Sequence, residues 1–128
     1  MNLLLGTHVF LWLISGDARL PVSWRQTVSD PSNRVFLSVV SIWETTIKFQ
    51  IGKLPLPAAP GIYLPTQRVR HSISSLPLDE ESGARLASLP GHHRDPFDRI
   101  LVCQAIEHNL TIVTVDSLIT QYGVARLR

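Results

Sequence analysis

Two kinds of apolar pattern alternate along the chain. Residues 3–5 (Leu-Leu-Leu) and 110–113 (Leu-Thr-Ile-Val) are short, almost unbroken apolar runs, the mark of strands buried on both faces rather than on one. Between them lie segments whose apolar residues recur at helical spacing. Read in order, residues 2–5 predict a first strand, and Thr7-His8 leads at once into a helix over 9–14. A second helix follows over 21–29 with Pro21 at its start. The turn cluster Asp30-Pro31-Ser32-Asn33 precedes a second strand at 35–38, and Ser41-Ile42-Trp43-Glu44 has the spacing of a capping box for a third helix ending at Gly52.

Four prolines between residues 54 and 65 (Pro55, Pro57, Pro60, Pro65) predict a loop, with at most one short helix after it. Residues 72–76 read as a third strand and 79–88 as an amphipathic helix. Asp95-Pro96 places a capping residue before a proline at the first helical position, so a helix is predicted over 97–108. A buried strand at 110–113, a short helix at 117–122 and a weak last strand at 124–127 complete the reading. Strands alternating with helices, and strands apolar on both faces, imply an α/β fold with a parallel sheet covered on both sides.

Composition narrows the class. A chain of 128 residues that is 45% hydrophobic and 17% charged suits one compact domain and excludes disorder. One cysteine, Cys103, cannot build a disulfide framework or a cysteine zinc site, and a reducing cytoplasm is the expected setting. The apolar N-terminal stretch 3–14 lacks a basic flank and is interrupted by Thr7 and His8. It is therefore expected to be neither a signal peptide nor a membrane span. A formal charge of +2 permits a polyanionic partner without requiring one.

The candidate chemistry lies in the acidic residues. Asp116 follows the strand at 110–113, and Glu44 and Asp98 are each expected in the first turn of a helix, the one after the second strand and the one after Asp95-Pro96. Open parallel sheets bind ligands beyond the carboxyl ends of their strands, and Gly6 and Asp116 both lie beyond such ends. Three carboxylates around one point repel each other unless a hard cation neutralises them, and Mg²⁺ or Mn²⁺ suits oxygen ligands. Each residue also has a purely structural reading. Glu44 could answer the Ser41 cap, Asp98 suits a helix N-terminus, Asp116 could cap the next helix, and Asp95 reads as a cap rather than a ligand. Both readings stand open at this point. Trp24 reads as core, whereas Trp12 and Trp43 could be core residues or line a partner groove. His92, His93, Arg94 and Arg99 flank the crevice in sequence and could contact a phosphate backbone. Cys103 has no paired base, and there is no glycine-rich phosphate loop.

Leu4-Leu5-Gly6-Thr7-His8, Ser41-Ile42-Trp43-Glu44, Asp95-Pro96-Phe97-Asp98-Arg99-Ile100-Leu101 with Gln104-Ala105, and Thr114-Val115-Asp116 resemble, in order, the motifs of PIN-domain ribonucleases, in particular the VapC-type toxins of toxin–antitoxin pairs. The resemblance implies a three-layer α/β/α PIN-like fold spanning residues 1–128, with a central parallel sheet of about five strands. It implies an endoribonuclease of a type II toxin–antitoxin system with Glu44, Asp98 and Asp116 as metal-ligating and catalytic residues. It also implies an RNA substrate, a small antitoxin that fills the active-site groove, and a cytoplasmic homodimer with no membrane association. The family's first aspartate falls on Gly6, which offers neither oxygen nor charge. Mg²⁺ or Mn²⁺ is therefore expected to be weakly bound or absent, and catalysis impaired. The alternative is a PIN module that binds RNA or antitoxin without cutting. A phosphoacceptor receiver domain is disfavoured, because the third predicted strand ends in Pro77 and the last lysine is Lys53.

Overall fold

The computed structural model describes residues 1–91 and 95–128. Strand β1 (Asn2–Leu5) lies inside a parallel sheet, between β2 (Arg34–Ser38) and β4 (Thr111–Val113), with β3 (Ser74–Leu76) outside β2. The order β3-β2-β1-β4 is held by Leu4 opposite both Phe36 and Ile112, and by Leu37 opposite Ser75. Pleating explains why an all-leucine strand is needed here. Leu3 and Leu5 enter one apolar cluster and Leu4 the other, because successive side chains point to opposite faces.

Helices α1 (Thr7–Ser15), α2 (Val22–Ser29) and α4 (Pro60–Arg70) cover the first face, through Val9, Phe10, Trp24 and Leu64. Helix α6 (Pro96–Glu107) covers the second through Leu101, Val102 and Ala105, and α5 (Glu80–Arg85) lies against α6. Helix α3 (Val39–Gln50) serves both, since Val40 packs in the second cluster and Ile42 against the first. The expected α/β/α layering with a parallel sheet is thus present. The weak strand at 124–127 is reduced to one parallel bridge, Ile112 with Arg126, so the sheet has four strands where about five were expected.

Two local expectations fail for identifiable reasons. Ser41 does not cap α3. Strand β2 runs into the helix without a loop, and Ser38 is the cap, accepting from the Val40 amide at 3.0 Å. Ser41 is then the third helical residue and Glu44 lies in the second turn, not the first. The same three-residue spacing that defines a capping box also places two side chains on one helix face. The proline-rich stretch likewise holds more helix than predicted, because Pro60 and Pro65 both lie within the eleven residues of α4. Pro60 sits at the helix start, where its missing N–H is no loss, and Pro65 forgoes one intrahelical bond. Burial of Leu64 on the sheet outweighs that loss.

Candidate functional site

Strand order places the site. The sheet proceeds from β1 through β2 to β3 on one side and takes β4 on the other, so the order reverses between β1 and β4, where such sheets open a crevice. The Gly6 amide donates to the Val113 carbonyl at 2.8 Å, closing the floor between the two strand ends. Above it is a crevice of about 70 Å³ lined by Gly6, Thr7, Glu44, Asp95, Asp98 and Asp116, among others. Four carboxylates, drawn from three segments remote in sequence, therefore share one crevice with the glycine.

Each carboxylate reaches it by a different local device. Asp95 caps α6, its Oδ1 accepting from the Phe97 amide at 2.9 Å and the Asp98 amide at 3.5 Å. That cap fixes the first helical turn, from which Asp98 projects. Asp116 accepts from the Leu118 amide at 3.0 Å, and its own amide donates to Thr114 Oγ1 at 3.1 Å. The turn beyond β4 is thereby ordered, and Asp116 also acts as a local cap. Glu44 is buried at 3% exposure. Its Oε1 accepts from the Thr7 hydroxyl at 2.9 Å, while Thr7 and Ser41 hydroxyls lie 2.9 Å apart. One hydroxyl proton cannot serve both bonds, so Thr7 donates to the carboxylate and receives from Ser41. Glu44 Oε2 receives the Lys48 ammonium at 2.6 Å.

Oxygen donors of the right kind for a hard cation are thus present, yet their arrangement does not fit one as it stands. Gly6 supplies no side-chain donor, and both Glu44 oxygens already hold partners. Among the described residues no group of three His, Cys, Asp or Glu side chains is gathered closely enough to hold an ion. Thr7 and Lys48 were missed by the sequence reading. The Glu-x-x-x-Lys spacing of Glu44 and Lys48 was a signal for the second. Thr7 carried no signal beyond its place after Gly6.

The remaining candidates are distributed around this centre. The Arg99 guanidinium donates to the carbonyls of Pro90 at 2.9 Å and Leu89 at 3.4 Å, which ties the preceding loop to α6. His92, His93 and Arg94 lie outside the described residues. Trp24 is core, whereas Trp43 is 58% exposed and meets Phe97 edge-on at 5.0 Å between ring centroids. Trp12 carries the Arg19 guanidinium 5.0 Å from its ring centre and lines a separate groove of about 440 Å³ with His8, Leu56 and Tyr63. Cys103 is fully buried and burial pushes its thiol up, the reverse of what a nucleophilic thiolate needs.

A parallel α/β sheet with carboxylates lining a crevice at its switch point is common to several families, and the sequence specifies which. The PIN domain pattern matches residues 3–124, and the chain belongs to the PIN-domain family. Over 55 residues it is 38% identical to Ribonuclease VapC16 of Mycobacterium tuberculosis, a match covering 43% of this chain and 39% of that protein. The aligned part is thus about two fifths of that relative's length. The fold is similar to VapBC2 from Rickettsia felis bound to a promoter DNA fragment, with TM-score 0.74, 15% identity, and 100% and 98% of the two chains covered. It is also similar to VapBC-1 from nontypeable Haemophilus influenzae (TM-score 0.67, 15% identity, 99% and 97% covered). FitAcB from Neisseria gonorrhoeae gives 0.62 at 23% identity, with 98% and 96% covered. No helix among the described residues is long and apolar enough to cross a membrane.

Proposed function

We propose that this chain is a VapC-type PIN domain, an endoribonuclease-like toxin of a type II toxin–antitoxin pair whose cleavage is impaired by Gly6. The observation that supports this reading is the crevice itself, which Glu44, Asp98 and Asp116 line beside Gly6 at the β1–β4 switch point. In it Asp98 and Asp116 are the carboxylates for a divalent cation, Mg²⁺ or Mn²⁺. Glu44 is the third, held in place by Thr7. Without a carboxylate at position 6 the cation is weakly held or absent. The substrate is RNA, and the setting is cytoplasmic.

The partner is a small antitoxin. The structural neighbours are toxin–antitoxin complexes, and the groove lined by Trp12, Leu56 and Tyr63 offers the aromatic anchoring that protein segments use. A homodimer accompanies this reading, with exposed Trp43 as a candidate anchor. One observation favours a second reading, in which the domain binds RNA or antitoxin and cuts nothing: the Glu44 charge is already paired with Lys48. Cleavage and binding of the same labelled RNA, measured side by side with and without Mg²⁺, separate the two. Cleavage that EDTA abolishes supports the nuclease, and metal-independent binding without cleavage supports the module.

A further inference from the structure

We infer that Lys48 is a built-in counter-ion of the crevice, holding Glu44 away from any divalent cation, so that metal can engage Glu44 only after the Glu44–Lys48 pair opens. An ordinary pair four residues apart on an exposed helix face contributes little. This one is different because the Glu44 side chain is 4% exposed and the Lys48 side chain 34%. Removing one partner of such a pair leaves an uncompensated buried charge, which is strongly unfavourable. A buried Glu44 carboxylate therefore needs a partner, and in this chain Lys48 is that partner at 2.6 Å.

The asymmetry in exposure also sets which partner moves. Glu44 is pinned by Thr7, which stands at the start of α1 and is itself bonded to Ser41. Lys48 has a flexible four-carbon stem and a path to water. Opening the pair consists of Lys48 swinging outward while Glu44 stays. Gly6 completes the argument. With no carboxylate at that position, the crevice draws a dication less strongly against the ammonium than it would with one.

The inference concerns the crevice of the proposed nuclease but not its cleavage of RNA, so the test reads cation binding alone. Mn²⁺ is titrated into the full chain and the free ion followed by electron paramagnetic resonance. Lys48→Gln is expected to bind Mn²⁺ at least about tenfold more tightly than the unaltered chain, the scale on which groups contacting a metal ligand act. Lys53→Gln, which removes an exposed lysine outside the crevice, is expected to leave affinity unchanged. Adding Glu44→Gln to Lys48→Gln is expected to abolish the gain. Equal affinity in Lys48→Gln and the unaltered chain overturns the inference, as does a gain that survives Glu44→Gln. Should Lys48→Gln not fold, Lys48→Met, which keeps the apolar stem and removes the charge, decides: it should bind Mn²⁺ about tenfold more tightly than the unaltered chain, and equal affinity overturns the inference.

Discussion

Gly6 and Val113 are joined by a 2.8 Å hydrogen bond from the glycine amide to the valine carbonyl, and a Cβ at position 6 would sit 3.0 Å from that same oxygen. Position 6 has φ −64° and ψ 155°, an extended conformation open to any residue. Backbone conformation therefore does not require glycine here. What glycine relieves is contact with the end of β4, and it brings no side-chain oxygen to the crevice.

Gly6→Asp is accordingly expected to fold, at a cost of about 1 kcal/mol as the Val113 carbonyl yields by a few tenths of an ångström. Mg²⁺-dependent RNA cleavage should rise at least about tenfold over this chain. The gain should vanish in EDTA and on adding Asp98→Asn, which has no charge to hold a cation. A folded Gly6→Asp chain with no gain on any RNA tried would transfer support to the non-cutting module.

Thr7→Val keeps the shape of the side chain and deletes the hydroxyl that links Ser41 to Glu44. The buried carboxylate then lacks one donor, and a loss of roughly 1–3 kcal/mol is expected in urea unfolding. Thr7→Ser retains the donor and should recover most of it. Equal stability of the valine and serine variants would contradict the hydrogen-bond account.

Asp95 separates capping from metal binding. Because its oxygen receives the first amides of α6, Asp95→Ala should cost about 1 kcal/mol in stability. Asp95→Asn and Asp95→Ser still cap, and should melt near the unaltered chain. If Asp95→Asn were as unstable as Asp95→Ala, the role assigned to the cap would be wrong.

Acid titration tests the Asp17–Arg19 pair, 2.7 Å apart. The Arg19 side chain holds the Asp17 carboxyl down at about 2, below the ordinary aspartate value of about 3.9. A depressed carboxylate stabilises the fold above its unfolded value and loses that contribution as pH falls through the folded one. The stability difference between the unaltered chain and Arg19→Ala should thus be constant above about pH 4 and narrow towards pH 2. It should also be small and shrink in high salt, since the pair is exposed. A difference that grew on acidification would exclude this assignment.

The α/β class and the layering follow from local pattern alone, because Leu3-Leu4-Leu5 can satisfy two apolar clusters only as a strand covered on both faces. The α6 start was equally legible, since a cap followed by proline is decided within three residues: Asp95 and Pro96 do what their chemistry dictates. The start of α3 was not. Its true cap, Ser38, ends a strand and also donates to buried Gln104 at 2.6 Å, a partner sixty-six residues away that no local rule could supply. The helix through Pro60 and Pro65 escaped prediction for the same reason, as burial of Leu64 on the sheet overrides the local cost of proline.

At the candidate site the sequence determined which carboxylates exist and that position 6 lacks one. Only tertiary structure decided that Glu44, Asp98 and Asp116 line one crevice, because that depends on β4 pairing beside β1 rather than beyond β3. Tertiary structure also decided the company Glu44 keeps. The i to i+4 spacing allows a bond to Lys48 anywhere on a helix, but burial against Thr7 of α1 turns a weak surface contact into the charge balance of the crevice.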